Sequence, residues 1–90
     1  MQLLAIECLG KTLRLEGSMA GWQQLFWHEQ CVSQIDASAD SDTFSHQFML
    51  QSEQGEIQVE LNGALQWQPF TLQYQLLLND QVVQSDSLDE

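Results

Sequence analysis

The sequence predicts an all-β protein: an antiparallel β-sandwich of about eight short strands joined by hairpins. Three observations carry that prediction. Phe70, Leu72, Tyr74, Leu76 and Leu78 fall on every second residue, with Thr71, Gln73 and Gln75 between them. A period of two places the apolar set on one face of an extended strand and the amides on the other. Turn signals recur about every eight to twelve residues, the spacing of sandwiches and barrels. LFWHEQCVSQ at 25–34 also matches LLLNDQVVQS at 76–85 position by position: three large apolar residues, a polar pair, Gln, then two small apolar residues. These are two hairpins of one design, 51 positions apart (76 against 25).

Taken in order, Leu4, Ile6 and Cys8, then Leu13 and Leu15, predict a hairpin with strands near 2–8 and 12–17 around a Leu9–Lys11 turn. Gly17 and Gly21 bracket a small-residue loop. Residues 22–35 are the most ambiguous stretch. Trp22, Leu25, Phe26 and Glu29 fit one side of a helix with Ser18 as its N-cap. Phe26, Trp27, Cys31, Val32 and Ile35 suit strands better, and the match to 76–85 decides for strands near 22–27 and 30–35. Asp36–Thr43, small and acidic, reads as a surface loop. Phe44, His46, Phe48 and Leu50 alternate with polar residues and Met49; Ser52–Gly55 turns the chain; Ile57, Val59 and Leu61 alternate back. Asn62-Gly63 reads as the end of that strand, with Leu65 and Trp67 alternating on to Pro69, a residue suited to a strand start or an edge. After Phe70–Leu78, Asn79-Asp80 is a turn pair that tolerates left-handed backbone without glycine, and Val82–Gln84 is the returning strand. The domain is expected over 1–86, with 87–90 a frayed acidic tail.

Ninety residues allow one domain of this kind. Thirteen acidic residues against Lys11 and Arg14 give a formal net charge of −11. Such a surface repels phosphate backbones and anionic membranes, because both are bound through Lys and Arg. The same charge favours a monomer or a weak homodimer. MQLLAIECLG has no basic start and is interrupted by Glu7, so it does not read as a secretory signal. Cys8 and Cys31 then read as reduced thiols, and the chain as cytoplasmic.

The order of elements resembles one repeat of the Fas apoptotic inhibitory molecule family. The resemblance rests on the KTLRLE strand ending in Gly17, the small-residue loop to Gly21, the LFW-HEQ hairpin, the FSHQFML–QGEIQVEL pair and the FTLQYQLLLNDQ hairpin, roughly Lys11 to Asp86. That family turns its hairpins on Asp-Gly or Asn-Gly, where this chain has His28-Glu29 and Asn79-Asp80. The resemblance implies an eight-stranded antiparallel β-sandwich that works through protein contacts without catalysis.

Candidate chemistries are few. The acids between Asp36 and Asp42 do not make an EF-hand: starting from Asp40, Phe44, Ser45 and Gln51 occupy ligand or glycine places. Cys8, His28, Cys31 and His46 are zinc-ligand types, but His28-x-x-Cys31 is the only close pair and it spans a turn. Cys31 with a histidine is the one nucleophile pairing, and a strongly acidic chain disfavours a thiolate. Nucleotide-binding and nucleophile-elbow motifs are missing from the sequence. We therefore expect no enzyme, no cofactor and no metal. Trp22 and Trp27, an odd number of positions apart, must lie on opposite faces of one strand, and Leu77 and Val82 lie off the face defined by Phe70–Leu78. These four residues are the candidate partner surface. The expected function is a protein-interaction domain that binds through an exposed sheet face or edge. The alternatives are a carbohydrate-binding sandwich using surface tryptophans and an acidic nucleic-acid mimic.

Overall fold

Alternation of apolar and polar residues builds eight strands. In the computed structural model, which describes residues 1–36 and 43–89, these are β1 (Gln2–Cys8), β2 (Lys11–Gly17), β3 (Trp22–Trp27), β4 (Gln30–Asp36), β5 (Thr43–Ser52), β6 (Gly55–Trp67), β7 (Phe70–Leu78) and β8 (Gln81–Asp89). No helix occurs among the described residues, so none is long and apolar enough to cross a membrane. The strands form two four-stranded sheets of order β1-β2-β3-β4 and β5-β6-β7-β8. Every neighbouring pair is antiparallel. The all-β, hairpin-connected class expected from the sequence is the class observed. Contacts group the chain into two compact units, Met1–Ser41 and Asp42–Glu90.

Within the first unit, Leu4, Cys8, Leu13, Leu15 and Leu25 are buried together with Gln23. Within the second, Phe44, His46, Phe48, Val59, Leu61, Leu65, Leu72, Tyr74 and Leu76 are buried. Along β5 the pattern is strict, with Phe44, His46 and Phe48 buried and Ser45, Gln47 and Met49 exposed. Each leucine taken fully out of water contributes about 1.5–3 kcal/mol, which is why period two decides the fold here.

The turns use left-handed backbone: Leu9-Gly10 (φ 53° and 82°), His28 (60°), Gly55 (114°) and Asn79-Asp80 (49° and 67°). Ser18, the candidate helix cap, instead organises a tight turn. Its hydroxyl accepts from the Ala20 N–H at 3.1 Å and its carbonyl from the Gly21 N–H at 3.0 Å. Pro69 sits between β6 and β7 with a cis bond to Gln68.

Two expectations are corrected. β6 does not stop at Asn62-Gly63 but runs through it to Trp67. Gly63 pairs with Phe44 across the sheet, and a Cβ there would lie 2.5 Å from the Phe44 ring and would also meet the Gln73 carbonyl oxygen. The glycine makes room for a ring, not for a turn. The returning strand of the last hairpin does not end at Gln84 and leave a frayed tail, because β8 continues to Asp89 along Thr71–Gln75. Its small polar residues find ladder partners on a strand whose other face is already buried. The cation reading of Asp40 and Asp42 lies outside the described residues.

Candidate protein-contact surface

The Asn79-Asp80 turn is tied to its neighbour strand. The Asn79 N–H donates to the Gln58 carbonyl at 2.9 Å, and the Gln58 N–H donates to Asn79 Oδ1 at 3.0 Å. Beyond the turn, Leu77 pairs with Val82 while Leu76 pairs with Gln84, so Val83 is the extra residue of a bulge. Leu77 and Val82 are thereby side by side on the outward face. β8 ends the sheet order, and its side chains are exposed from Gln81 to Leu88. Val82 and Val83 are each 53% exposed and Leu88 38%. Gln84 Nε2 donates to the Tyr74 hydroxyl at 3.0 Å, and the Ser87 N–H donates to Asp86 Oδ1 at 2.8 Å.

Outward positions of the second sheet are mainly amides and hydroxyls. Ser45 Oγ donates to Asn62 Oδ1 at 2.6 Å, Gln47 Nε2 to Glu60 Oε1 at 2.9 Å, and Asn62 Nδ2 to Glu60 Oε2. An open groove of about 450 Å³ is bordered by Asn62, Ala64, Gln73, Gln75, Ser85 and Ser87. Charge is one-signed on this unit: residues 42–90 contain eight acids and no Lys or Arg. Lys11 and Arg14, the chain's two cations, both lie on β2.

The four candidate residues divide between the units. Trp22 and Trp27 belong to the first and Leu77 and Val82 to the second. Trp22 is outward and 37% exposed. Trp27 shares the parity of buried Gln23 and Leu25, donates from Nε1 to the Cys8 carbonyl at 3.1 Å, and has Lys11 Nζ 4.7 Å from its ring centroid. It anchors a hairpin end. Trp67 is half-buried and meets Phe70 edge-on at 5.9 Å. The sequence reading missed Val83, Leu88 and Asp86. Val83 was signalled by its match to Val32 in the 25–34 segment, whereas no pattern in the sequence marked Leu88 or Asp86.

The thiols and histidines do not assemble. Cys8 is buried, which pushes its thiol pKa up, whereas Cys31 is exposed and donates to the Ser33 carbonyl at 3.7 Å. His46 is 1% exposed, and burial lowers its pKa from 6.5 to about 4. Among the described residues no three metal-ligand types cluster. Comparison with family models, with curated proteins and with solved structures found no match.

Proposed function

We propose that this chain is a non-catalytic protein-contact domain whose working surface is the β7–β8 hairpin. The observation that carries this reading is Val82 and Val83, each 53% exposed next to the Asn79-Asp80 turn on the last strand of a sheet. An edge strand with apolar side chains in water is a ready template for another chain. The resemblance to Fas apoptotic inhibitory molecule repeats points the same way, and two free thiols fit a reducing, cytoplasmic setting. A tryptophan platform for sugars has less support, because Lys11 lies over the Trp27 ring. The acidic-mimic reading keeps one observation in its favour, the absence of any cation from residues 42–90.

Photo-crosslinking tests the proposal. A crosslinking residue at Val82 is expected to capture one protein reproducibly from the native cell extract, and one at Glu53, in the β5–β6 turn, is not. Quenching of tryptophan fluorescence by glycans, with no crosslink at 82, would replace the proposal with the carbohydrate reading. Capture of a DNA-binding protein that disappears on adding salt would replace it with the mimic.

A further inference from the structure

We infer that the outward face of β6, β7 and β8 is a binding trough for a neutral, extended oligosaccharide, held by side-chain amides and hydroxyls. This goes beyond the protein-contact reading and uses other residues. The open groove of about 450 Å³ bordered by Asn62, Ala64, Gln73, Gln75, Ser85 and Ser87 does not stop at Ala64. A second groove of about 200 Å³, reaching Gln66 and Thr71, shares Ala64 and Gln73 with it. From Asn62 to Gln66 the two extend along β6 for about 13 Å, at 3.3 Å per residue, room for more than one sugar ring. The register explains the shape. Gln75 stands between Asn62 and Ser85, and Gln73 between Ala64 and Ser87, so the long amides of β7 have short Ala64, Ser85 and Ser87 beside them.

Hydrogen bonding divides this face in two. On β5 and β6 the outward polar groups are matched within the protein: Gln47 Nε2 and Asn62 Nδ2 donate to the Glu60 carboxylate, and Ser45 Oγ donates to Asn62 Oδ1. Asn62 is thereby fixed at the rim of the trough. On β7 the side-chain amides of Gln73 and Gln75 make no hydrogen bond among the described residues, and neither do the Ser85 and Ser87 hydroxyls on β8. Their donors and acceptors are left for a ligand.

The lining selects that ligand. Residues 42–90 contain no Lys or Arg and His46 is buried, so nothing there holds a phosphate, sulfate or carboxylate. Asp86 pairs with buried Tyr74 on the other face, and its carboxylate accepts the Ser87 N–H, so it is not set to take a cation in the trough. Ala64 is the one apolar side chain on the trough side, too small to seat a lipid or an aromatic ligand. A polypeptide finds no ladder to join, because β7 is already paired on both sides. A sugar needs none. Each of its hydroxyls both donates and accepts, and a primary amide offers an N–H and a carbonyl side by side, a match for two neighbouring hydroxyls.

The experiment titrates the full ¹⁵N-labelled chain with three probes: cellotetraose, the same tetramer with its hydroxymethyl groups oxidised to carboxylates, and a neutral Ser/Gly peptide. Cellotetraose is expected to shift the side-chain NH₂ resonances of Gln73 and Gln75 and to leave that of Gln47 in place. The other two probes are expected to shift none of them. Gln73→Ala and Gln75→Ala are each expected to weaken cellotetraose binding about tenfold, the effect of losing two hydrogen bonds. Gln47→Ala, on the same sheet face, is expected to leave it unchanged. Ala64→Ile, which fills the place the two grooves share, is expected to abolish binding while the spectrum stays folded. No shift with cellotetraose, equal shifts with all three probes, or full binding by both glutamine variants each overturns the inference. The crosslink at residue 82 reports on a separate place. Amide shifts without that crosslink keep the trough and remove the protein contact, and the crosslink without amide shifts does the reverse.

Discussion

In the β3–β4 hairpin, His28 opens the turn at φ 60°, and its N–H donates to the Thr12 carbonyl on β2 at 2.8 Å. In the β7–β8 hairpin, Asn79 opens the turn at φ 49° and donates to the Gln58 carbonyl on β6 at 2.9 Å. Both hairpins then carry a bulge at the same aligned place. Leu25 pairs with Ser33 and Phe26 with Cys31, which leaves Val32 extra, just as Val83 is extra beyond Leu77 and Leu76. One local plan is used twice, and the completions differ. Arg14 covers Phe26 in the first sheet, also pairing with Glu16 at 3.2 Å, whereas Glu60 faces Leu77 in the second. Backbone plan and surface chemistry are therefore separable here: turn and bulge follow from a ten-residue pattern, and binding character follows from which neighbour strand supplies charge.

Equivalence of the two plans is broken most forcefully at their buried leucines. Leu25 and Leu76 occupy aligned positions and are 0% and 2% exposed. Truncating either to Ala removes a buried isobutyl group and leaves a cavity, so each variant is expected to lose roughly 2–5 kcal/mol in urea denaturation. Losses that agree within about 1 kcal/mol would support equal packing of the two hairpins; a loss at one site alone would end the comparison.

The next difference is a pH dependence confined to the second sheet, where His46 takes a buried place on β5. With the native pKa near 4 against an ordinary 6.5, the unfolded chain binds the extra proton first as pH falls. Stability is therefore full above pH 6.5, declines between 6.5 and 4, and loses no more from this group below 4, a total of about 3 kcal/mol. Denaturation of wild type and His46→Gln across this window is the check. The variant is expected to be less stable at pH 7 and flatter between 6.5 and 4, and parallel curves would remove the histidine from the account.

Glycine sharpens the contrast at the level of strands. At Gly17 an added Cβ would meet Leu3 Cδ1 at 2.8 Å, the end of a side chain that can rotate away, and would stand 3.3 Å from the Trp22 carbonyl oxygen, a distance that a shift of a few tenths of an ångström relieves. At Gly63 it would meet the Phe44 ring and a backbone oxygen, neither of which can yield without moving the sheet. Gly63→Ala is expected to destabilise by roughly 2–3 kcal/mol and Gly17→Ala by under about 1 kcal/mol. Thermal midpoints in the reverse order would mean that Gly63 marks flexibility, not close packing.

This pair also marks what was legible in the sequence. Alternation at Phe44–Leu50 and Phe70–Leu78 predicts strands because period two is a local property, readable without knowing the neighbours. Asn62-Gly63 looks like a stop because glycine's usual local meaning is a turn; its use here, as room for the Phe44 ring, depends on a residue 19 positions away (63 − 44). Ser85–Asp89 carries no apolar alternation, so its strand state is dictated by the free edge of β7 and is invisible in its own composition. Half of the candidate surface was legible for the same reason. Leu77 and Val82 followed from parity, whereas the covering of Trp27 required knowing that Cys8 and Lys11 stand beside it.

The smallest expected effects lie at the turn openers, and they test whether one plan needs one residue type. His28 contributes a left-handed φ and a backbone N–H, both of which glycine supplies with less strain, so His28→Gly is expected to stabilise by a few tenths to about 1 kcal/mol. Asn79 contributes the same two features and in addition accepts the Gln58 N–H through Oδ1. Asn79→Gly exchanges backbone ease for a lost side-chain hydrogen bond of about 1 kcal/mol and is expected to come out near neutral or slightly destabilising. Equal gains at both sites would mean that the Asn79–Gln58 bond contributes nothing to holding β7–β8 against β6. A gain at 28 and a loss at 79 would show that the second hairpin is pinned at its turn by a side chain, which leaves its far strand as the part free to take a partner.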